Sequence, residues 1–385
     1  MVWLFFSLGV GLVWLGLHPF ATYPISLWLI RRWLYQPPQP RIPADPPETF
    51  ALCCCAYNEE HVIGAKVDNC LALRETQPDL QILFYVDAAT DRTAELLRDL
   101  DVTLYVAPQR AGKTHGMNRL TALANASVLV FTDANVMLDP DALNALARHF
   151  VDPEIGCVCG HLRYLNANAG ATAALGALYW RFEEWVKQLE TDTGSAMGAD
   201  GSLFAIRRSL SQPVPDNLID DMFVSLRILC DGYRVVRADD VEAYELSATA
   251  SGEEFRRKAR IACQAFNVHR RLWPRLRHLG PLTVYKYVSH KLLRWFSGIN
   301  LALGAVCFEL ALAIAGYVDV AVALLILVAV LTLFGWRRWG TLPARFWEVV
   351  SALAGTTLGI WYSTRGVDFQ VWTPTQSARK RADGA

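Results

Sequence analysis

Short polar clusters close the apolar runs of this chain, and their residue types suit chemistry at a phosphate. Tyr57, Asn58, Glu59 and Glu60 follow the run Phe50 to Ala56. Asp87 closes Ile82 to Val86 and leads into Ala88-Ala89-Thr90-Asp91-Arg92-Thr93. Arg110 to Lys113 is a basic loop containing Gly112, Asp133 and Asn135 follow Val128 to Phe131, and Asp220 and Asp221 stand side by side before Met222 to Leu229. Asp133 and Asn135 point the same way on an extended segment and offer hard oxygens to magnesium or manganese, cations that neutralise a departing diphosphate. Lys113 suits a phosphate or a ribose. Adjacent carboxylates repel, so one of Asp220 and Asp221 should hold a proton more tightly or bind a cation. A carboxylate so placed can take the proton of an attacking hydroxyl.

Each cluster also has a plain structural reading. Asp91 can cap a helix, Asp133-Ala134-Asn135 can be a turn, Arg110 to Lys113 a solvated loop, and Asp220-Asp221 an acidic helix start favoured by the macrodipole. Asp87 is harder to dismiss, because it leaves an apolar run directly and so points into the crevice where a ligand would lie.

The elements that must position these residues follow from the hydrophobic pattern. Phe50 to Ala56, Ile82 to Asp87, Val102 to Val106, Val128 to Asp133 and Ile155 to Arg163 read as strands; helical patterns begin near Glu59, Arg92, Lys113 and Asp141. Such alternation predicts an α/β domain with a mainly parallel sheet and helices on both faces. Its ligands belong at the carboxyl ends of the strands. The domain spans 49–275.

The flanks have a different composition. The 385 residues are 53% hydrophobic, with a mean hydropathy of +0.20, more apolar than a usual soluble protein. Val2 to Ile30 is nearly free of charge and long enough to cross a bilayer of about 30 Å. It reads as one tilted or kinked anchor (1–32), with Arg31 and Arg32 on the cytoplasmic side. The six prolines of Gln36 to Pro47 make 33–48 an extended linker. Tyr285 to Trp295 mixes Lys286, His290, Lys291 and Arg294 with aromatics, as in a helix lying in the headgroup region (281–297). Apolar runs at Gly298 to Tyr317, Val320 to Trp336 and Val349 to Tyr362 suggest membrane helices over 298–364. The third is either a span or a re-entrant or interfacial helix, since a span would put the basic tail (365–385), with Arg379, Lys380 and Arg381, on the outer side.

The remaining composition narrows the function classes. Thirty-seven basic residues balance 37 acidic ones, so no global field recruits nucleic acid, which is not expected as a partner. Cys53, Cys54 and Cys55 are adjacent and suit neither a disulfide framework nor a metal site, and Cys157 and Cys159 read as core. His61, His115, His149 and His161 lack metal-ligand spacing. Trp180 and Trp185 flank Glu183 and Glu184 on a helix and suit the membrane interface more than a sugar. No G-x-G-x-x-G follows the first strand, against a dinucleotide oxidoreductase. Within the membrane runs Glu309 is the central ionisable residue, a thin basis for a transport path.

Taken in order, these clusters resemble the inverting family 2 glycosyltransferases, a group that includes cellulose, chitin and hyaluronan synthases. The resemblance covers roughly Phe50 to Trp273 and the flanking membrane segments. It implies a GT-A fold with a Rossmann-like mixed sheet, a nucleotide-diphosphate sugar donor and a divalent metal. By position it implies nucleotide-sugar contacts at Ala56, Tyr57, Asn58, Glu59, Asp87, Lys113 and Asp133, and a metal site at Asp133 and Asn135. Asp221 matches the general base, with Asp220 beside it. Gly198 to Arg207, with Gly198 and Asp200, resembles the acceptor-side loop. Asn135 stands where a second aspartate is usual. The QxxRW motif of processive synthases is not matched: Arg257 and Arg260 lie in the corresponding segment, whereas Gln264 and Trp273 are out of register, so polymer extrusion does not transfer. The expected protein is a multi-pass enzyme of a bacterial-type inner membrane, catalytic domain cytoplasmic, moving a sugar from a UDP-sugar to a polysaccharide or oligosaccharide. A polyprenyl-phosphate acceptor is the nearest rival, and a non-catalytic transporter or scaffold the more distant one.

Overall fold

Alternation of side chains along one strand explains how two cores form. In β1 (Phe50–Ala56) every residue is buried. Phe50, Leu52, Cys54 and Ala56 enter one apolar cluster, and Ala51, Cys53 and Cys55 enter the other. A strand covered on both faces reads as a continuous apolar run. The three adjacent cysteines therefore face alternate cores. All nine cysteines are unpaired, and burial pushes the Cys53 thiol up to about 12.

The computed structural model describes residues 1–35, 49–165, 171–246 and 251–371. Helices α1 (Val2–Leu17) and α2 (Thr22–Trp33) precede β1. The α/β domain continues with α3 (Ile63–Thr76), β2 (Gln81–Val86), α4 (Thr93–Leu97), β3 (Thr103–Val106), α5 (Lys113–Leu123), β4 (Val128–Asp133), β5 (Met137–Leu138) and α6 (Ala142–Phe150). Then come β6 (Ile155–Tyr164), α7 (Ala171–Asp192), β7 (Leu203–Arg207), α8 (Asp220–Cys230), β8 (Arg234–Glu245) and α9 (Ser251–Leu276). The chain closes with α10 (Pro281–Tyr287), α11 (Leu293–Ile314), α12 (Val318–Trp336) and α13 (Thr341–Thr364).

One eight-stranded sheet runs β3-β2-β1-β4-β7-β6-β8-β5. The first four of these strands are mutually parallel, as expected. β7 is antiparallel to both β4 and β6, so the sheet is mixed. Leu203 to Arg207, expected as part of a loop, is this central strand, and β8 was also not expected. Its mixed sequence, with Asp239 and Asp240 in mid-strand, hides the alternation. Because β2 and β4 lie on opposite sides of β1, the order in which strands are added to the sheet reverses between β1 and β4. Their carboxyl ends form the crevice where ligands of open α/β sheets bind.

The membrane-facing parts differ from expectation in three places. The anchor is two helices: α1 stops at the 3₁₀ turn His18–Phe20, where Pro19 lacks an N–H for a continuing helix. His18 is buried there, its ring nitrogens 2.6 Å from Thr22 Oγ1 and 3.0 Å from Ser289 Oγ. α2 then packs Tyr23 and Leu27 on Val186 and Leu189 of α7. Second, 281–297 is not a separate interfacial helix. A π turn at Val288–Leu292 joins α10 to α11, and the polar residues are buried on α7. Lys286 Nζ donates to the carbonyls of Glu190 (2.8 Å), Thr193 (2.8 Å) and Ser195 (3.3 Å) at the α7 carboxyl end, where the helix dipole favours a cation.

Third, α13 is not among the helices long and apolar enough to cross a membrane, which among the described residues are Val2–Phe20, Pro281–Ile314 and Val318–Trp336. It lies on α9 through a glycine seam. A Cβ at Gly359 would stand 2.3 Å from the Ala259 carbonyl oxygen, and one at Gly355 3.2 Å from that of Phe255. Small residues likewise let α1 and α11 approach: a Cβ at Gly16 would meet Leu301 at 2.8 Å, and one at Gly304 would meet Val13 at 2.7 Å. Of the linker and the tail, 36–48 and 372–385, including Arg379, Lys380 and Arg381, lie outside the described residues.

Candidate active site

The polar residues after β1 and β2 are held by backbone turns at the strand ends. Asn58 (φ 52°) and Ala88 (φ 51°) directly follow two of these turns in the left-handed region, a conformation that non-glycine residues keep only when their surroundings impose it. Asn58 Oδ1 accepts the Thr90 N–H at 2.8 Å, and the Glu59 N–H donates to Thr93 Oγ1 at 2.8 Å. The Ala56 carbonyl accepts the Asp87 N–H at 2.9 Å. Asp91 behaves as the structural alternative proposed, its carboxylate accepting the N–H groups of Thr93 and Glu60 at 3.0 Å each.

Asp87 is fully buried and organises the basic loop. It accepts the Ala111 N–H at 2.7 Å, the Gly112 N–H at 3.1 Å and Arg110 Nε at 3.2 Å. The Arg110 guanidinium stacks 3.4 Å from the centre of the Tyr57 ring. Gly112 has φ 96°, and a Cβ there would lie 2.0 Å from the Gln370 carbonyl oxygen. The segment after α13 thus crosses the loop. It is held by Gln264 Nε2 donating to the Phe369 carbonyl at 2.7 Å and Asn217 Nδ2 to Asp368 Oδ1 at 3.2 Å. Nothing in the sequence separates these residues from an ordinary tail, and their placement was missed.

The acids converge on Lys113. Its Nζ donates to Asp133 Oδ1 at 2.7 Å and stands 3.7 Å from Asp220 Oδ2. A Cβ at Gly201 would lie 3.0 Å from Lys113 Nζ and 3.1 Å from Asp221 Oδ2, so these four residues share one pocket. Burial would lower the proton affinity of Lys113, but Asp133, Asp220 and Asp221 outweigh it and hold the ammonium well above its ordinary value. Asp221 is pushed up to about 7 by burial and by the charge of Asp220, against the opposing pull of Lys113. Asp220 Oδ2 is buried without a hydrogen-bond partner. Beneath the Asp133 turn, Lys66 is fully buried and donates to the Val136 carbonyl at 2.6 Å and Thr132 Oγ1 at 3.2 Å. This supporting lysine was also missed, because its helix gave no pattern that sets it apart.

On the opposite flank Gly198 has φ 120°. Asp200 accepts Lys187 Nζ at 2.7 Å and the Ser202 hydroxyl. Arg260, on α9, is lowered by burial and by Arg257, while Asp220, Asp133 and Asp221 pull it up, so its charge faces the acids. Arg260 Nη1 donates to Gln264 Oε1 at 3.4 Å, one helical turn on. An arginine and a glutamine therefore do share this face, in the reverse order of the expected motif. Trp273 is elsewhere, stacked on Tyr287.

The expected metal pair is not symmetric. Asp133 is 38% exposed at its side chain, whereas the Asn135 amide turns its Nδ2 to Glu245 Oε1 at 2.9 Å. Among the described residues no group of three or more His, Cys, Asp or Glu side chains is set to hold a metal ion. The donor chemistry still fits a hard cation in part: Asp133 is open, Asp220 has an unpartnered oxygen, and the Asn135 amide keeps an oxygen as acceptor.

A mixed sheet with its acids at the carboxyl ends of β1, β2 and β4 defines a GT-A transferase domain. The family model for "Glycosyltransferase like family 2" matches residues 46–264, more than half of the sequence. The chain belongs to this family. An N-acetylglucosaminyltransferase of Rhizobium leguminosarum bv. viciae is 20% identical over 248 residues, covering 60% of this chain and 58% of that protein. An O-antigen chain rhamnosyltransferase of Salmonella typhimurium is 28% identical over 189 residues, covering 46% of this chain and 60% of its own. The chain thus spans less than two thirds of either relative. A solved mannosyltransferase from Pyrobaculum calidifontis, in complex with GDP-mannose and Mn²⁺, has the same fold. Its TM-score is 0.67 at 24% identity, over 91% of this chain and 98% of that one.

Proposed function

We propose that the protein transfers one sugar, with inversion, from a UDP-sugar to a hydroxyl of a polysaccharide or oligosaccharide acceptor at the cytoplasmic face of a bacterial-type inner membrane. The observation that carries this reading is the convergence of Asp133, Asp220 and Asp221 on Lys113 at the strand ends, where burial and the charge of Asp220 push Asp221 up to about 7. A base of that strength takes a hydroxyl proton near neutral pH. The acceptor oxygen then bonds to the anomeric carbon on the face opposite the nucleotide, the bond to the diphosphate breaks, and the proton stays on Asp221. Lys113 offsets the negative charge that collects on the leaving diphosphate. Asp133 and Asn135 would hold a divalent cation, magnesium or manganese, which adds further positive charge at the same place. Asp87 acts through the loop it holds: its bonds to the Ala111 and Gly112 N–H groups and to Arg110 fix the course of the loop that leads into Lys113.

The hydroxyl is favoured over a lipid phosphate as nucleophile because a phosphate oxygen is already ionised at neutral pH and needs no base. The helices Val2–Phe20, Pro281–Ile314 and Val318–Trp336 support membrane attachment, and α13 resting on α9 supports a catalytic domain and carboxyl end on one side. UDP release by the detergent-purified chain, across a panel of UDP-sugars, tests the reading. Release from one donor, abolished by chelator and in Asp133→Ala and Asp221→Asn, is expected. Undiminished turnover in Asp221→Asn would remove that residue from the role of base.

A further inference from the structure

Where α7 meets the start of α11, cationic side chains outnumber their counterions. Arg294 uses one nitrogen, Nη1, for both Glu183 and the Tyr179 hydroxyl (3.1 Å). Its Nε and Nη2 are buried with no partner, a costly state for charged donors. The Lys291 ammonium, one turn earlier, stands 3.8 Å from Glu183 Oε1, an oxygen that already lies 2.8 Å from His290 Nε2. The neighbouring carboxylates are engaged elsewhere. Glu190 takes Tyr23, His290 and the Met197 N–H, and Glu184 and Asp200 take Lys187, with Arg237 also on Glu184. One carboxylate, Glu183, therefore serves both Lys291 and Arg294.

The position of this surplus is as informative as its sign. Arg294 Cζ lies 5.3 Å from the ring centre of Phe20, so the cluster sits beside the end of the apolar helical stretch Val2–Phe20, which is long enough to cross a membrane. Lys291 Cε would be 3.8 Å from a Cβ at Gly198, and the same short loop reaches Asp221 through Gly201. We propose that Arg294 and Lys291 form an anion subsite for the phosphate of a lipid-linked acceptor. Its lipid would lie along the apolar surface of α1 and α11 and its sugar hydroxyl would reach Asp221. A guanidinium with two unused N–H groups matches phosphate oxygens in pairs, and an ammonium adds a point charge. The phosphate is an anchor and not the nucleophile, so the inference rests on the reading of Asp221 as base on the acceptor side.

The test uses the full chain in phosphatidylcholine nanodiscs and the equilibrium binding of radiolabelled dodecyl phosphate, with UDP binding measured in parallel. Saturable binding is expected, competed weakly by inorganic phosphate and not by dodecanol. It should be at least tenfold weaker in Arg294→Gln and in Lys291→Gln, with UDP affinity unchanged. Should Arg294→Gln fail to fold, Lys291→Gln decides, since its ammonium makes no close hydrogen bond to lose. Absent binding, or binding unchanged in the folded variants, overturns the subsite. Competition by dioctanoyl phosphatidylglycerol equal to that by unlabelled dodecyl phosphate overturns the acceptor assignment and leaves a site for bilayer headgroups. Loss of UDP binding in the wild type would count against the donor reading alone.

Discussion

The Lys113 ammonium lies 2.7 Å from Asp133 and links it to Asp220, 3.7 Å away. A single cation thus joins the acid that ends β4 to the pair that opens α8. Removing it in Lys113→Met leaves Asp133, Asp220 and Asp221 with Arg260 alone to offset them, so Asp221 should hold its proton still more tightly. Transfer is expected to fall by about a hundredfold or more at pH 7, with the acidic limb of the pH–rate profile displaced upward. A pH–rate profile of the variant checks both effects. A lower rate on an undisplaced profile would show that Lys113 serves the diphosphate without tuning Asp221.

Asp221 carries a second prediction, for stability. Its folded proton affinity of about 7 exceeds the unfolded carboxylate value, 3.8. Both states are protonated below about pH 4, and as pH rises to 7 only the unfolded state ionises freely, so the group destabilises the fold progressively and fully above 7. Asp221→Asn removes this penalty. The variant should be more stable than wild type at pH 8, by roughly 1 kcal/mol after allowance for solvent near the site, and equally stable at pH 4. Its transfer rate should fall by about a hundredfold to ten-thousandfold. Thermal unfolding at the two pH values checks the sign. Equal destabilisation at both would mean that the carboxylate is structural.

How far the sequence reveals the site depends on whether a residue acts from a strand end or by crossing to another element. Asp87, Asp133 and Asp221 were legible because each closes an apolar run or opens a helix, and the fold brings the last two to one lysine. Asp220 was legible as its neighbour, but its buried, unpartnered oxygen was not. Lys66, Lys187 and the segment at Gln370 were not legible, because their partners lie far along the chain and no local period marks them. The polar stretch Tyr285 to Trp295 misled for a related reason. A helix whose charges are neutralised in the interior, as Lys286 is by the carbonyls ending α7, has the same composition as one lying among headgroups. In the same way the run Val349 to Tyr362 reads from composition as either a span or a re-entrant or interfacial helix, whereas its glycines Gly355 and Gly359 lie against α9.

Asn135 provides a test of metal use. Its Nδ2 donates to Glu245 Oε1 at 2.9 Å; in Asn135→Asp that contact becomes a pair of carboxylates, which repel unless a cation lies between them. The metal-free variant should be less stable than wild type by about 1 kcal/mol or more. It should also reach half-maximal activity at a lower Mn²⁺ concentration, since it offers one more anionic ligand. Metal titrations of activity and of thermal stability read the two effects separately. A variant that needs more Mn²⁺ than wild type would place the cation away from residue 135.

The seam between α13 and α9 links the membrane half to the chemistry, because α9 carries Arg260 toward the acids and Gln264 to the segment crossing Gly112. At Gly359 a Cβ would come within 2.3 Å of the Ala259 carbonyl oxygen and 2.6 Å of Ala262 Cβ, contacts that backbone atoms cannot yield by side-chain rotation. Gly359→Leu must therefore push the helices apart and tilt Arg260 and Gln264 with them. Misplacing charged groups by about 1 Å near the reacting atoms costs on the order of a hundredfold in rate. The sheet that holds Asp87, Lys113 and Asp133 does not depend on this seam, so UDP affinity should stay within about twofold of wild type. Measuring UDP binding beside transfer separates the outcomes. Loss of both would make α13 a general support of the fold, whereas loss of transfer alone would assign the seam to positioning the acceptor side.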